Sequence, residues 1–156
     1  VLFDDDEPGH CAYERTNQEL PDGDARLVKP FKMKPTPPVI ELRKQGFKIP
    51  MDLEAAYPDW IWEEAETRGW LTDVARLKDR YPGSLVEALL RRSENDPLKG
   101  MSRIQRLRLT KCFTSEGKKA AGEWVVSMDY KDACGALEGF VDSLNPICEY
   151  LLTVQV

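Results

Sequence analysis

AYPDWIWEEA, residues 56–65, places Tyr57, Pro58, Trp60 and Trp62 within six positions and follows them with Glu63 and Glu64. Pro58 fits the first turn of a helix, where its missing N–H removes no hydrogen bond, and Gly69 is placed to end the segment. The spacing predicts a helix over 59–68. Two residues along a helix correspond to about 200° of rotation, so Trp60 and Trp62 lie on different faces and cannot both point into one small core. One of them then faces a partner. The alternative buries both indoles, with Tyr57-Pro58 packing a turn over them, since tryptophan is highly buried on average. A third use is an aromatic site for a cationic ligand, completed by Glu63 and Glu64.

Outward from this helix the punctuation stays helical. Thr72 is a candidate cap for DVARLKDRY, whose Val74, Leu77 and Tyr81 recur at helical spacing before Pro82-Gly83. SLVE at 84–87 is a capping box opening a helix that buries Leu85 and Leu89. After Asp96-Pro97, Ser102 caps RIQRLRLTKCF, with Ile104, Leu107 and Lys111 on one stripe and Lys99, Arg103 and Arg106 on another; the alternation in RLRLT also suits a strand. AGEWVVSMDY fits either type. ACGALEGFVDSLNP reads as an amphipathic helix with Leu137, Phe140, Val141 and Leu144 inward, stopped by Asn145-Pro146, and ICEYLLTVQV as a buried strand or last helix.

The N-terminal third differs. VLFDDDEPGH is an acidic patch closing in a Pro-Gly turn, and prolines 30, 35, 37, 38 and 50 forbid a long helix. Residues 1–50 are expected to form an extended arm, ordered only by lying along something else through anchors such as Phe31, Val39, Ile40, Leu42 and Phe47. The expected fold is mainly α: a small irregular helical domain (51–119) carrying the basic helix, with a long extended N-terminal arm (1–50) and a helical or mixed C-terminal extension (120–156).

A formal charge of −5 and a pI of about 5.0 argue against binding to nucleic acid through uniform positive charge. The charge is sorted into blocks, however. Residues 26–50 carry seven bases and one acid, as do residues 97–119, whereas 51–96 carry eleven acids and six bases. The two basic blocks favour phosphate contact over a merely solvated face, with Lys99, Arg103, Arg106, Arg108 and Lys111 on the helix and Lys32 and Lys34 on the arm.

Catalytic chemistry is not visible. The one histidine, His10, sits beside Cys11 without a second ligand pair, so no metal site is expected. There is no phosphate-binding glycine loop and no nucleophile elbow, and the carboxylates lie on expected surface faces. No cofactor, small-molecule substrate or catalytic residue is expected. Cys11, Cys112, Cys134 and Cys148 form no C-x-x-C pair and fit a reducing compartment. No apolar run reaches membrane-spanning length, and a start at Val1 leads us to expect an upstream segment, such as a targeting peptide.

YPDWIW at 57–62, followed by the Asp-Pro break at 96–97 and the basic RIQRLRLTK, resembles the mitochondrial large-subunit ribosomal protein family numbered fifty-four (thirty-seven in the older yeast naming), over roughly residues 49–115. The resemblance implies a non-catalytic constituent of the mitochondrial large ribosomal subunit in the matrix. Arg103, Arg106, Arg108 and Lys111 would lie on the backbone of mitochondrial rRNA, and Tyr57, Trp60 and Trp62 would meet neighbouring ribosomal proteins, to which the arm, read from its own residues, would add Phe31 and Phe47 as protein contacts. The alternative is an accessory subunit or assembly factor of another large mitochondrial complex that binds protein only.

Overall fold

The computed structural model describes residues 2–4, 7–19, 29–83 and 98–154. In chain order the elements are β1 (Leu2–Phe3), α1 (Glu7–Glu19), β2 (Phe31–Lys32), α2 (Pro37–Lys44), a 3-10 turn (Glu54–Ala56), α3 (Asp59–Thr67), β3 (Leu71–Asp73), a 3-10 turn (Leu77–Arg80), α4 (Arg103–Thr110), β4 (Lys111–Phe113), α5 (Ser115–Ser127), α6 (Tyr130–Leu137), a 3-10 turn (Glu138–Phe140) and α7 (Val141–Val154). The fold is mainly helical, as expected. Two short ladders tie it together: β1 pairs in parallel with β2, and β3 pairs antiparallel with β4, Leu71 opposite Phe113.

Helix α3 has the limits its punctuation predicts. Pro58 precedes the first turn, Arg68 is the last half-helical residue, and Gly69 follows at φ +70°, a left-handed conformation that suits glycine. Helix α4 opens on a capping box: the Ser102 hydroxyl accepts from the Gln105 amide at 3.2 Å, and the Gln105 side chain accepts from the Ser102 amide at 2.9 Å. Both forms expected of this stretch are present in succession, since the helix gives way to β4 at Lys111, which therefore leaves the Ile104–Leu107 stripe.

The arm is the main correction. Residues 29–50, within the stretch expected as an arm, are not an extended strap awaiting a partner, because Met33, Val39, Leu42, Phe47 and Ile49 form one core cluster with Met51, Ala55, Ala56 and Leu109. Val39 and Leu42 fall three apart on α2, so a helix of only eight residues puts both inward, and Pro37 and Pro38 stand at its first positions, where proline is tolerated. Likewise Pro8 and Gly9 do not make a turn; they lie inside the first turn of α1.

Other expectations also shift. Thr72 belongs to β3, not to a helix cap, and only Leu77–Arg80 of DVARLKDRY is helical, as a 3-10 turn. The SLVE capping box, with Leu85 and Leu89, lies outside the described residues, as does Asp96-Pro97. AGEWVVSMDY is helical up to Ser127, and Asp129 caps α6 by accepting from the Asp132 amide at 2.9 Å. Pro146 does not end the following helix but lies within α7, and Leu137, Val141 and Leu144, expected inward, are exposed. The last helix therefore carries an apolar ridge of Val141, Leu144, Leu151 and Leu152 on its outer side, while Ser143 is its fully buried residue and accepts from the Lys34 amide at 2.8 Å.

Candidate functional site

The basic helix is turned largely toward the protein itself. Arg108 is buried, its side chain only 3 % exposed, and its Nε and Nη2 donate to Asp59 Oδ1 at 3.0 and 2.9 Å. Nη2 also donates to the Tyr57 carbonyl at 2.7 Å and Nη1 to the Ala55 carbonyl at 3.2 Å. The guanidinium stacks over Trp62, 5.1 Å from the ring centre. Burial pushes its pKa below the usual arginine range, and the bond and charge of Asp59 oppose that. Arg108 thus bolts α4 to the hexapeptide turn, which corrects its expected place on RNA phosphate.

The neighbouring cations are engaged as well. Arg103 pairs with Glu66, Lys111 with Asp73 at 2.8 Å and Lys118 with Glu54 at 2.8 Å. Arg106 donates to the Leu98 carbonyl at 2.8 Å. Burial alone would lower the pKa of Lys118, but the bond and charge of Glu54, helped by Asp52, leave it raised. For Lys111 the hydrogen bond it donates to Asp73 raises the pKa. Lys99 is exposed ahead of α4, Lys34 is exposed in the α2 approach, and Lys32 lies over the Tyr13 ring at 4.6 Å. The helix C-terminus, where unpaired carbonyls gather, receives Arg80, which donates to the Leu109 carbonyl at 3.0 Å.

The two indoles of the hexapeptide divide as their helical angle requires. Trp62 is 5 % exposed and Trp60 is 41 % exposed. Trp62 donates to the Glu54 carbonyl at 3.2 Å and meets Phe113 edge-on at 5.0 Å. Trp60 meets Trp124 at 5.9 Å, Trp124 meets Trp70 at 5.8 Å, and the Arg68 guanidinium caps this row, 4.5 Å from the Trp124 ring centre. Tyr57 is half-buried between Phe113 and Phe140, and burial, with Glu54 nearby, raises its phenol pKa. Phe31 packs on Tyr150 and Phe47 on Tyr81, so both expected partner anchors are spent inside the chain.

In front of Trp60 lies a cleft of about 670 Å³. Pro35, Pro37, Pro38 and Pro58 line it with Tyr57 and Trp60, and Asp59, Glu63, Glu138 and Asp142 put carboxylates in its wall against Lys34 and the buried Arg108. Gly139 sets the depth, since a Cβ there would come within 2.0 Å of the Ala56 carbonyl oxygen. Thr36 lines the same wall at 7 % exposure, at the N-cap of α2, and its hydroxyl has no hydrogen-bond partner among the described residues. A further polar group outside the cleft is Asp52, whose pKa is raised by burial and by Glu54 while the Ala55 amide and Lys118 oppose the rise. No group of three or more potential metal ligands occurs among the described residues. No helix among them is long and apolar enough to cross a membrane.

Of the residues singled out in the sequence, Tyr57 and Trp60, expected on protein, and Lys34 and Arg108, expected on RNA, line this one cleft; Thr36, Glu138, Gly139 and Asp142 were not singled out as site residues, because they come from segments up to about 100 residues apart and carry no local motif. Glu63 was legible as a partner for a cation beside the indoles. Comparison with protein-family models, with curated proteins and with solved structures finds no match to this chain.

Proposed function

We propose that this chain is a non-catalytic component of a larger assembly, held there mainly by contacts with protein. The observation that carries the reading is that the cations of its basic helix are matched within the chain while aromatic and apolar groups stay outside. Arg103, Arg108, Lys111 and Lys118 meet acids from residues 54–73. Trp60 and the α7 ridge remain exposed. A paired cation must give up its partner before it can neutralise a phosphate, which reduces the gain from counterion release. Exposed large apolar groups in one ridge are what a protein partner covers.

A second reading is a constituent of the mitochondrial large ribosomal subunit, supported by the YPDWIW resemblance and by the exposed Lys34, Lys44, Lys48 and Lys99. The test is sedimentation of the tagged chain from mitochondrial lysate through sucrose, with EDTA or with RNase. A fast-moving species that survives RNase supports the protein-bound component. Co-migration with the large subunit through EDTA treatment and its loss with RNase supports the ribosomal constituent instead. Recovery only at the top of the gradient overturns both.

A further inference from the structure

We propose that the cleft in front of Trp60 docks an extended, cationic segment of a partner protein, with an arginine or lysine side chain seated between the indole and the carboxylates. This names the partner chemistry of one surface and rests on the protein-binding reading above.

Shape is the first argument. The cleft of about 670 Å³ adjoins a second of about 340 Å³, and the two share Pro37, Pro38, Asp59 and Arg108. The combined trough reaches from Glu138 and Asp142 at one end to Ser102 and Gln105 at the other. A trough suits an extended backbone, and its proline walls supply no N–H donors, so an occupant is gripped through its own donors and side chains.

Charge is the second. Asp59 is already matched by Arg108, and Glu63, Glu138 and Asp142 have no ion pair among the described residues. Lys34 is the other cation in the lining of the larger cleft, so the wall keeps an excess of negative charge. An acidic peptide or a phosphate would be repelled; a cationic side chain is drawn in. The exposed face of Trp60 adds the attraction of an indole for a cation, and the same chemistry already operates on the next ring, where Arg68 sits 4.5 Å from the centre of Trp124.

The probe is a fluorescein-labelled peptide of alanine and proline with two central arginines, titrated with the full chain and followed by anisotropy. The control carries two glutamates instead. Binding of the arginine peptide is expected to weaken about tenfold in Trp60→Ala and comparably in the double variant Glu63→Gln/Asp142→Asn, whose exposed positions leave folding intact. It should also fall as salt rises from about 50 to about 300 mM. Equal binding of the glutamate peptide, or undiminished binding by the double variant, overturns the inference. If the arginine peptide does not bind while the tagged chain still sediments in an RNase-resistant species, the docking inference fails and the protein-bound reading stands.

Discussion

Replacing Arg108 with methionine separates an internal bolt from an RNA contact. The side chain is 3 % exposed and makes four hydrogen bonds, to Asp59, Tyr57 and Ala55. Methionine keeps much of the stem's volume but leaves two carbonyls and a carboxylate without their donor. Each orphaned carbonyl costs about 1–3 kcal/mol and the half-exposed Asp59 carboxylate adds little, so the change should cost about 3–5 kcal/mol. At this chain length each kcal/mol moves Tm by about 2–4 °C, so the fall should be about 6–20 °C by circular dichroism. Asp59→Asn keeps the Oδ1 acceptor and all four hydrogen bonds but leaves the guanidinium of Arg108, 3 % exposed, without its counter-charge, so it too should lower Tm, by less than Arg108→Met. The asymmetry is the signature. An Arg108 that contacted phosphate from the surface would give the opposite result: an unchanged Tm and a salt slope of RNA binding reduced by about one. A Tm loss below about 2 °C in Arg108→Met would refute the reasoning.

Two glycines in α5 should behave oppositely: Gly117→Ala puts a Cβ 2.2 Å from the Trp70 carbonyl oxygen and should cost about 1–3 kcal/mol or more, whereas Gly122, with nothing within 4 Å, should gain about 0.4–1 kcal/mol on change to alanine in urea melts. Asp52→Asn should raise Tm at neutral pH, because burial and Glu54 raise the folded-state pKa above its ordinary value of 3.8. A carboxyl raised in this way favours folding fully below its unfolded pKa and loses that contribution as pH rises through the folded one, so the advantage of the asparagine chain should shrink on acidification. Leu151→Lys, on the exposed ridge of α7, should leave Tm within about 1 °C of the parent chain but shift the tagged protein toward the top of the gradient.

How much could be read in advance depended on the range of the interaction. The limits of α3 and the Ser102 cap are local, fixed by Pro58, Gly69 and a hydroxyl three residues from its donor, the Gln105 amide, and both were legible. The division of Trp60 and Trp62 between surface and core followed from the helical angle, although which indole is buried did not, because Trp62 is held by Phe113 and by the Glu54 carbonyl. The arm misled for a physical reason. Five prolines rule out a long helix but not the eight-residue α2, and Met33, Phe47, Ile49 and Met51 find burial outside regular structure. On α7 the error ran the other way: an amphipathic pattern says that one face is apolar and not that this chain covers it.

The charge blocks carry the wider lesson. Acid in residues 51–96 and base in 97–119 suggested separate partners for separate stretches, yet Glu54, Asp59, Glu66 and Asp73 meet Lys118, Arg108, Arg103 and Lys111 across one internal seam. Opposite blocks on one chain are as well explained by segments that pack on each other as by segments that reach outward, and a net-charge count cannot distinguish the two. The distinction lies in what is left over. Once the seam is matched, an excess of negative charge remains beside Trp60, at Glu63, Glu138 and Asp142, where no cation of the basic helix reaches except the already committed Arg108. A partner recognised through charge would therefore have to be basic at that cleft, and the stretch that first drew attention by its aromatic residues would be read by its carboxylates as much as by its rings.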